Sequence, residues 1–322
     1  MNTKIIDGKK IAEEIKDKII QEIIGFNDQN PIGPQASNGV NFSNIIKRPN
    51  LAIILIGDRE DSKLYVNLKE KQAKTIGIDT HIYKCPDNTP EIEILETIRY
   101  LNKDKTINGI LVQLPLPKNL NANNIIKAID PAKDVDRFHP DNLSKIEKWE
   151  EKQECDFGDF RSRTPVFYNN NQIISPVFGV ILEIFKKINY NIKNKTVCII
   201  SNSNIFGKNL AQILKNKQAK IQTSHVNDKN LINKTQKADV LITAVGRPKF
   251  IKKEMIKKDV IIIDIGITKI DNKIYGDVDF DDVKNKASYI TPVPGGVGPI
   301  TIALLFKNTL ELYKQQRVTW NA

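Results

Sequence analysis

The sequence lacks the features that mark membrane-spanning and secreted proteins. Its longest apolar runs, LAIILI at 51–56 and IALLF at 302–306, are far shorter than the roughly 20 residues of a transmembrane helix. The N-terminal stretch MNTKIIDGKKIAEEIKDKI alternates charged residues with isoleucine, as an amphipathic helix does, and has no apolar signal core. We therefore expect a cytoplasmic protein that does not associate with membranes.

Cysteine and histidine are also scarce. Cys85, Cys155 and Cys198 are scattered singly, so neither a disulfide framework nor a Cys-x-x-Cys zinc site can be drawn. Only 3 histidines occur, which argues against a histidine-rich metal site. The sequence thus predicts no metal.

The net charge of +11 comes from 49 basic and 38 acidic residues, a balance that taken alone suggests a nucleic-acid or acidic partner. However, the lysines are spread along the whole chain, and no stripe of arginines and aromatic residues accompanies them. We expect no nucleic-acid partner, only a modest attraction for polyanionic small molecules.

Helical and strand patterns alternate in two series. The first series has helices at 7–25, 61–76 and 90–103 and strands at 51–57, 79–84 and 109–114. The second has strands at 196–201, 220–225, 239–244 and 260–265 and helices at 207–216 and 229–236. Short apolar strands that alternate with helices indicate parallel βαβ units. The predicted fold is α/β, with two βαβ domains, the second a Rossmann-like dinucleotide-binding domain with a parallel sheet.

Two polar segments interrupt these series and suggest the domain boundaries. Residues 26–50 are rich in Asn, Gly, Pro and Ser and predict a flexible surface insertion, and 145–172 predict a linker that carries another. The first domain would comprise 1–144 and a C-terminal helix at 298–322. The second would comprise 173–297.

Candidate functional residues follow the predicted strands, where open α/β sheets bind their ligands. Tyr65 and Lys69 lie four residues apart on one helical face, either as a proton-transfer pair or as a packing tyrosine beside an exposed lysine. Gln113 ends an apolar strand and needs a hydrogen-bond partner if buried, which the backbone alone could supply. Asp134 and Asp136 flank one valine, and either bind a nitrogen-rich heterocycle or form a solvated acidic turn.

Two turns complete the candidate site. The segment 291–299, TPVPGGVGP, requires special backbone angles and a close approach to a neighbour, and centres on Pro294, Gly295 and Gly296. The turn SNSNIFGK at 201–208 lies where a Rossmann phosphate loop belongs, at a helix N-terminus. It has one glycine rather than three, so the residues alone leave its use open.

Taken together and in this order, these segments resemble the bifunctional methylenetetrahydrofolate dehydrogenase/methenyltetrahydrofolate cyclohydrolase family. The likeness covers the chain apart from 26–50 and 145–175. The matching stretches are IIDGKKIAEEIK, the S-x-x-Y-V-x-x-x-K block, GILVQLPLP, KDVDRFHPDN, ADVLITAVGRPKFI, VIIIDIGIT, GDVDFDDV and ITPVPGGVGPITIALLFKNTL.

The resemblance implies roles for these residues. Lys69 would be the central catalytic group, aligned by Tyr65 and kept partly neutral by Gln113. Asp136 would hold the pterin ring. The substrate-binding residues would be Tyr65, Asp136, Pro294, Gly295 and Gly296, and the cofactor-binding residues Ser201, Asn202, Ser203 and Ile267.

The implied activity is the NADP-dependent oxidation of methylenetetrahydrofolate and the hydrolysis of the product to 10-formyltetrahydrofolate. This activity belongs to one-carbon metabolism, which feeds purine biosynthesis. The implied cofactor is NADP, with NAD as the other candidate, the substrate is a tetrahydrofolate derivative, and the implied assembly is a homodimer.

The sequence also departs from the family pattern, mostly in the cofactor half. Ser201 and Asn202 replace a glycine and an arginine, Val226 replaces a serine, and Arg137 replaces the glycine that follows the pterin-binding acid. Two alternatives therefore stand beside the bifunctional enzyme: a cyclohydrolase without hydride transfer, and a catalytically inactive folate-binding relic.

Overall fold

The computed structural model describes residues 3–28, 48–147, 173–271 and 273–320. Most of the two predicted insertions therefore lies outside the described residues. The chain divides into two compact units. The three-stranded unit contains Glu13–Asn142, Ile173–Pro176 and the C-terminal residues from Ile302 onward. The six-stranded unit contains the N-terminal segment up to Ala12 and Val177–Thr301, together with residues that begin at Leu143.

The strands of the described residues are β1 (Lys4–Ile5), β2 (Asn50–Ile56), β3 (Asp79–Cys85), β4 (Gly109–Val112), β5 (Thr196–Ser201), β6 (Lys220–Ser224), β7 (Val240–Ala244), β8 (Ile261–Asp264), β9 (Thr268–Ile270), β10 (Lys273–Tyr275) and β11 (Tyr289–Ile290). The α-helices are α1 (Gly8–Asp28), α2 (Glu60–Thr75), α3 (Glu91–Lys103), α4 (Ala122–Ala128), α5 (Pro140–Glu147), α6 (Pro176–Lys187), α7 (Asn204–Asn216), α8 (Leu231–Lys237), α9 (Phe280–Val283) and α10 (Val297–Trp320).

The three-stranded unit is built on a parallel sheet of order β3-β2-β4. Its central strand, β2, is a continuous apolar run that is buried from Leu51 to Ile56. Such a run is expected for a parallel strand covered on both faces. Helix α3 contributes Ile94, Ile98 and Leu101, which share one helical face and are each 0% exposed.

The six-stranded unit is built on a sheet of order β1-β11-β8-β7-β5-β6, in which every pair of neighbours is parallel. Its strands are apolar runs whose inner residues, such as Ile200, Leu241 and Ile262, are 0% exposed. The predicted α/β class and the Rossmann-like parallel sheet are confirmed.

The structure differs from the sequence-based boundaries in several places, and two of these differences have a clear physical reason. The short strand β1 pairs with β11, so the N-terminal segment belongs to the six-stranded unit rather than to the domain predicted over 1–144. Two residues are too few to show a strand period. Helix α7 begins at Asn204 rather than at 207, because the Ser203 side chain accepts a hydrogen bond from the Phe206 N–H and caps the helix. No helix of the described residues is long and apolar enough to cross a membrane.

Candidate active site

Helix α2 begins just beyond the carboxyl end of β2, after a turn that requires glycine. Gly57 has a φ of +85°, and a Cβ on it would lie 1.9 Å from Asp87 Oδ1. The buried side of α2 carries Ser62, Val66 and Ala73, and Lys69 lies on the same face, three residues after Val66 and four before Ala73. The turn thus places the lysine at the carboxyl edge of the sheet.

Lys69 and Gln113 meet at this edge. The Lys69 Nζ donates a hydrogen bond of 2.7 Å to Gln113 Oε1. Gln113 directly follows β4, and its own N–H donates to the Ile54 carbonyl at 2.9 Å. Its side-chain Nε2 donates to the Leu114 carbonyl at 2.6 Å, which turns the amide oxygen toward the lysine. Gln113 is therefore held in place by side-chain as well as backbone hydrogen bonds.

Burial and charge shift the ionisation of Lys69 and Asp136 in a direction suited to proton transfer. Burial lowers the pKa of Lys69, and the smaller opposing effect comes from the Asp136 carboxylate. Burial raises the pKa of Asp136 to about 6, while the Lys69 charge lowers it and Asp134 raises it. Lys69 therefore loses its proton more readily than an ordinary lysine, and Asp136 holds its proton more tightly than an ordinary aspartate. The two groups are close enough to influence each other's charge.

Tyr65 lies on the same helix, one turn before Lys69. Its phenol is half-buried, and burial, followed by the nearby Asp61, raises its pKa. The hydroxyl is therefore a proton-bearing donor at neutral pH. Its position fits the prediction that Tyr65 and Lys69 act from one helical face.

Asp134 and Asp136 have different surroundings, although they flank the same valine. Asp134 is 2% exposed and accepts hydrogen bonds from the N–H groups of Arg137 and His139 and from the side chain of Asn142. Its oxygens are occupied by this turn, whereas Asp136 is the acid whose charge acts on Lys69. Asp134 therefore stabilises the turn, and Asp136 remains the candidate for binding a heterocycle.

Arg137, which replaces the family's glycine, is accommodated by the same turn. It has a φ of +58°, the left-handed region that glycine adopts more easily. Its Nη1 donates to the Pro131 carbonyl at 2.8 Å, and the side chain is 9% exposed. The guanidinium is held through Nη1 by the Pro131 carbonyl.

In the six-stranded unit, the four predicted cofactor residues follow strands of one sheet at their carboxyl ends. The Ser203 N–H donates to Ser201 Oγ at 3.0 Å. Asn202 Nδ2 donates to the Val245 carbonyl at 2.8 Å, which ties this turn to the loop after β7. Ile267 follows β8 and is 49% exposed. Because β7 lies between β5 and β8, strand spacing puts the two loops roughly 10 Å apart.

The glycine turn lies in the six-stranded unit, directly after β11. Gly295 has a φ of +104°, and the Gly296 N–H donates to the Pro292 carbonyl at 2.8 Å. Pro294, at the tip of the turn, is exposed. The turn therefore has the special backbone angles expected from the sequence, and it leads directly into α10.

Sequence reasoning missed a pair of buried acids in the six-stranded unit. Asp264 is 2% exposed and Asp277 is 0% exposed. Both lie within stretches that carry the family resemblance, VIIIDIGIT and GDVDFDDV, yet neither stretch pointed to a role. Asp264 directly follows a run of four apolar residues, and a charged residue at that position needs hydrogen-bond partners if it is buried. This was the signal in the sequence that could have identified it.

One parallel α/β unit has a partly buried lysine at its sheet edge, and the other has a capped helix N-terminus at its sheet edge. Two such units define the class of two-domain, dinucleotide-dependent α/β enzymes. Family models agree with this class. Residues 6–136 match the catalytic domain of tetrahydrofolate dehydrogenase/cyclohydrolase, and residues 176–317 match its NAD(P)-binding domain. The chain belongs to the tetrahydrofolate dehydrogenase/cyclohydrolase family.

Curated relatives span the same length. The bifunctional protein FolD of Nitratiruptor sp. is 40% identical over 98% of this chain and 99% of its own. That of Listeria innocua is 38% identical over 97% of this chain and 98% of its own. Because both domains are present and the relatives are bifunctional, the comparisons support neither the cyclohydrolase without hydride transfer nor the inactive relic.

Solved structures show the same architecture. The bifunctional FolD enzyme of Campylobacter jejuni has a TM-score of 0.81 and 33% identity, over 97% of this chain and 99% of that one. The methylenetetrahydrofolate dehydrogenase-cyclohydrolase of Trypanosoma brucei, in complex with NADP and an inhibitor, has a TM-score of 0.82 and 28% identity, over 98% of both chains.

Proposed function

We propose that the chain uses Lys69, Tyr65, Gln113 and Asp136 to oxidise methylenetetrahydrofolate with NADP and to hydrolyse the methenyl product to 10-formyltetrahydrofolate. The observation that carries this proposal is the hydrogen bond of 2.7 Å from Lys69 Nζ to Gln113 Oε1, formed where burial lowers the pKa of the lysine. A lysine in this setting gives up its proton more readily than an exposed lysine does, which suits a group that transfers protons.

Lys69 serves both half-reactions through its Nζ atom. Oxidation leaves a positive charge on the methenyl substrate, and a neutral amine beside that charge avoids repulsion between like charges. In the hydrolysis, Nζ accepts a proton from the water that attacks the methenyl carbon and returns it to the ring nitrogen as the carbon–nitrogen bond breaks. The second water proton leaves to solvent as the hydroxyl becomes the formyl carbonyl, so the cationic substrate yields a neutral product and one proton. Gln113 Oε1 holds Nζ in position during both proton transfers.

Asp136 binds the pterin ring, and Tyr65 lines the same site. A pterin presents an amino group and ring N–H groups on one edge, which a carboxylate can bind with two hydrogen bonds. The pKa of Asp136, about 6, leaves the carboxylate mostly ionised at neutral pH. We assign Pro294, Gly295 and Gly296 to the same substrate because Pro294, at the tip of the turn, is exposed.

NADP fits the turn between β5 and α7. The first turn of a helix presents backbone N–H groups that have no partner within the helix, and these groups bind phosphates. Ser201, Asn202 and Ser203 form this turn, and Ile267 offers an exposed apolar surface for a ring. NADP, when bound, accepts the hydride from the substrate. Asn202 lacks an arginine's charge, so we propose weaker selectivity for NADP over NAD than an arginine would give.

We also propose that the chain forms a homodimer and acts in the cytoplasm. Strand β6 is the last strand in its sheet order, and Ile232 on the adjoining helix α8 is 51% exposed, so this edge offers a surface for a second copy. Cys85 and Cys198 are free thiols, which suits a reducing compartment. Light scattering of the purified chain tests the dimer, and cell fractionation tests the compartment.

The proposed activity is tested by two absorbance assays on one preparation. The first follows the loss of methenyltetrahydrofolate without any dinucleotide, and the second follows the oxidation of methylenetetrahydrofolate with NADP or with NAD. We expect turnover in both assays. Hydrolysis without oxidation would refute the dehydrogenase half of the proposal, and no turnover in either assay would refute it entirely.

A further inference from the structure

The buried pair Asp264 and Asp277 connects the loops at the carboxyl edge of the six-stranded sheet. Asp277 Oδ2 accepts hydrogen bonds from Thr243 Oγ1 at 2.9 Å and from the Val245 N–H at 2.7 Å. Its Oδ1 accepts from the Arg247 N–H at 2.9 Å. One carboxylate therefore fixes the end of β7 and the loop that follows it.

Asp264 holds the neighbouring loop in the same way. Its Oδ1 accepts from the N–H groups of Gly266 at 3.0 Å and Asp277 at 3.1 Å, and its Oδ2 accepts from the Val278 N–H at 2.9 Å. The backbone N–H of Asp264 donates to Thr291 Oγ1 at 2.7 Å, which connects β8 with the segment that follows β11.

The glycines beside the two acids show how closely the loops approach these carboxyl groups. A Cβ on Gly266 would lie 2.1 Å from the Asp277 carboxyl carbon, and a Cβ on Gly276 would lie 2.0 Å from Asp264 Oδ2. Each carboxyl group thus lies against the glycine that neighbours the other acid. A larger residue at either position would push the loops off the acids.

The hydrogen-bond donors that hold both carboxyl groups are neutral: five backbone N–H groups and one hydroxyl. Peptide dipoles rather than a salt bridge therefore hold the two acids. The loops tied in this way follow β7 and β8, and Val245 is also the residue that receives the hydrogen bond from Asn202. The network consequently reaches from the proposed phosphate-binding turn to Ile267.

We infer that Asp264 and Asp277 are positioning residues for the dinucleotide, because they fix the loops after β7 and β8 on which Ile267 and the Asn202 contact depend. This inference rests on the proposed function, since it concerns the site that would hold NADP. In this role the two acids, which lie outside the substrate site, order the cofactor site before the dinucleotide binds.

The test compares Asp277→Asn with Asp279→Asn. The amide that replaces the Asp277 carboxylate would keep the shape of the side chain but would offer only one acceptor oxygen to three donors. Asp279 lies two residues further along the same segment and pairs with the Lys252 ammonium at 2.6 Å, so it serves as a matched control. Calorimetry gives the Kd for NADP and for NAD, and the dinucleotide-free hydrolysis assay reports on the substrate site of the same preparation.

We expect Asp277→Asn to raise the Kd for both dinucleotides by about tenfold or more, as expected for a lost charged acceptor. Methenyltetrahydrofolate hydrolysis should change less than about twofold, and Asp279→Asn should resemble wild type in both assays. If Asp277→Asn does not fold, Thr243→Val replaces it, since this near-isosteric change removes one donor to Asp277 and should raise the Kd by a few fold.

Unchanged dinucleotide affinity in a folded variant would overturn the inference, and so would a parallel loss of binding and hydrolysis, which marks a merely structural role. A wild-type chain that binds neither dinucleotide would overturn both the inference and the proposed dehydrogenase activity. A wild-type chain that binds NADP but does not oxidise substrate would refute only the proposed dehydrogenase activity.

Discussion

Replacing Lys69 with methionine tests the central assignment, because methionine keeps much of the length and apolar bulk of lysine but cannot carry a proton. General acid–base catalysis contributes roughly 100-fold to 10,000-fold to a rate. We therefore expect Lys69→Met to lower the kcat for methenyltetrahydrofolate hydrolysis by at least about 100-fold, equivalent to about 2.7 kcal/mol of activation free energy.

The structure also predicts what this substitution does outside catalysis. Gln113 Oε1 loses its donor at 2.7 Å, which costs about 1 kcal/mol of unfolding free energy. The Lys69 charge now lowers the pKa of Asp136, so its removal should raise that pKa above about 6. Lys69→Met should still bind folate at pH 8, where Asp136 is ionised. As the pH is lowered, the variant should lose folate affinity at a higher pH than wild type does.

The assay follows methenyltetrahydrofolate by absorbance across the pH range, with Lys71→Met as the control, since Lys71 is an exposed lysine on the same helix. Thermal unfolding of each variant verifies that it is folded. Turnover of Lys69→Met within about threefold of wild type would show that another group moves the proton, and the assignment of Lys69 would be wrong.

Three further predictions concern other groups. Asp136→Ala should weaken folate affinity by tenfold or more with little change in Tm, because a charged hydrogen bond to the pterin contributes roughly 1.5–3 kcal/mol; lost stability without lost affinity would make Asp136 structural. Ser201→Gly combined with Asn202→Arg should tighten NADP more than NAD by roughly 1–3 kcal/mol in calorimetry, and equal tightening would contradict our interpretation of the turn. Burial raises the pKa of Asp264 from 3.8 to about 7, so the folded protein holds this proton more tightly than the unfolded chain does. The resulting contribution to the free energy of unfolding is fully present below pH 3.8 and is lost as the pH rises through about 7. In denaturant titrations from pH 4 to 8, the free energy of unfolding of wild type should fall relative to that of Asp264→Asn by on the order of 4 kcal/mol. The same pH dependence of unfolding free energy in both proteins would refute this prediction.

Sequence patterns predicted the sheet strands where apolar runs are long and bounded by turns. Strand β5 was predicted with both of its ends correct, because the apolar run VCII is bounded by Thr196 and Ser201, between a lysine-rich turn and a polar one. The antiparallel pair of β9 and β10 escaped prediction, since each strand has 3 residues and charged side chains interrupt them. Short strands form through tertiary pairing rather than through a local preference.

The site was predictable to different depths in the two units. The spacing of Tyr65 and Lys69 on one helical face follows from helix geometry, so the sequence alone could place them together. The contact between Lys69 and Gln113 joins residues on separate elements, and no local pattern predicts such a contact. The different surroundings of Asp134 and Asp136 were likewise hidden, because they depend on N–H groups that arrive from the following turn.

The pairing of β1 with β11 has a consequence for how the protein is made. Lys4 pairs with Tyr289 and Ile5 with Ile290, so β1 finds its partner only after the whole segment between the two strands has been synthesised. Contacts between residues so distant in sequence slow folding, because the chain between them must be ordered first. Until β1 docks, β11 presents an open strand edge to other nascent chains. Dilution or a chaperone that shields this edge should therefore matter most in the period before β1 pairs with β11.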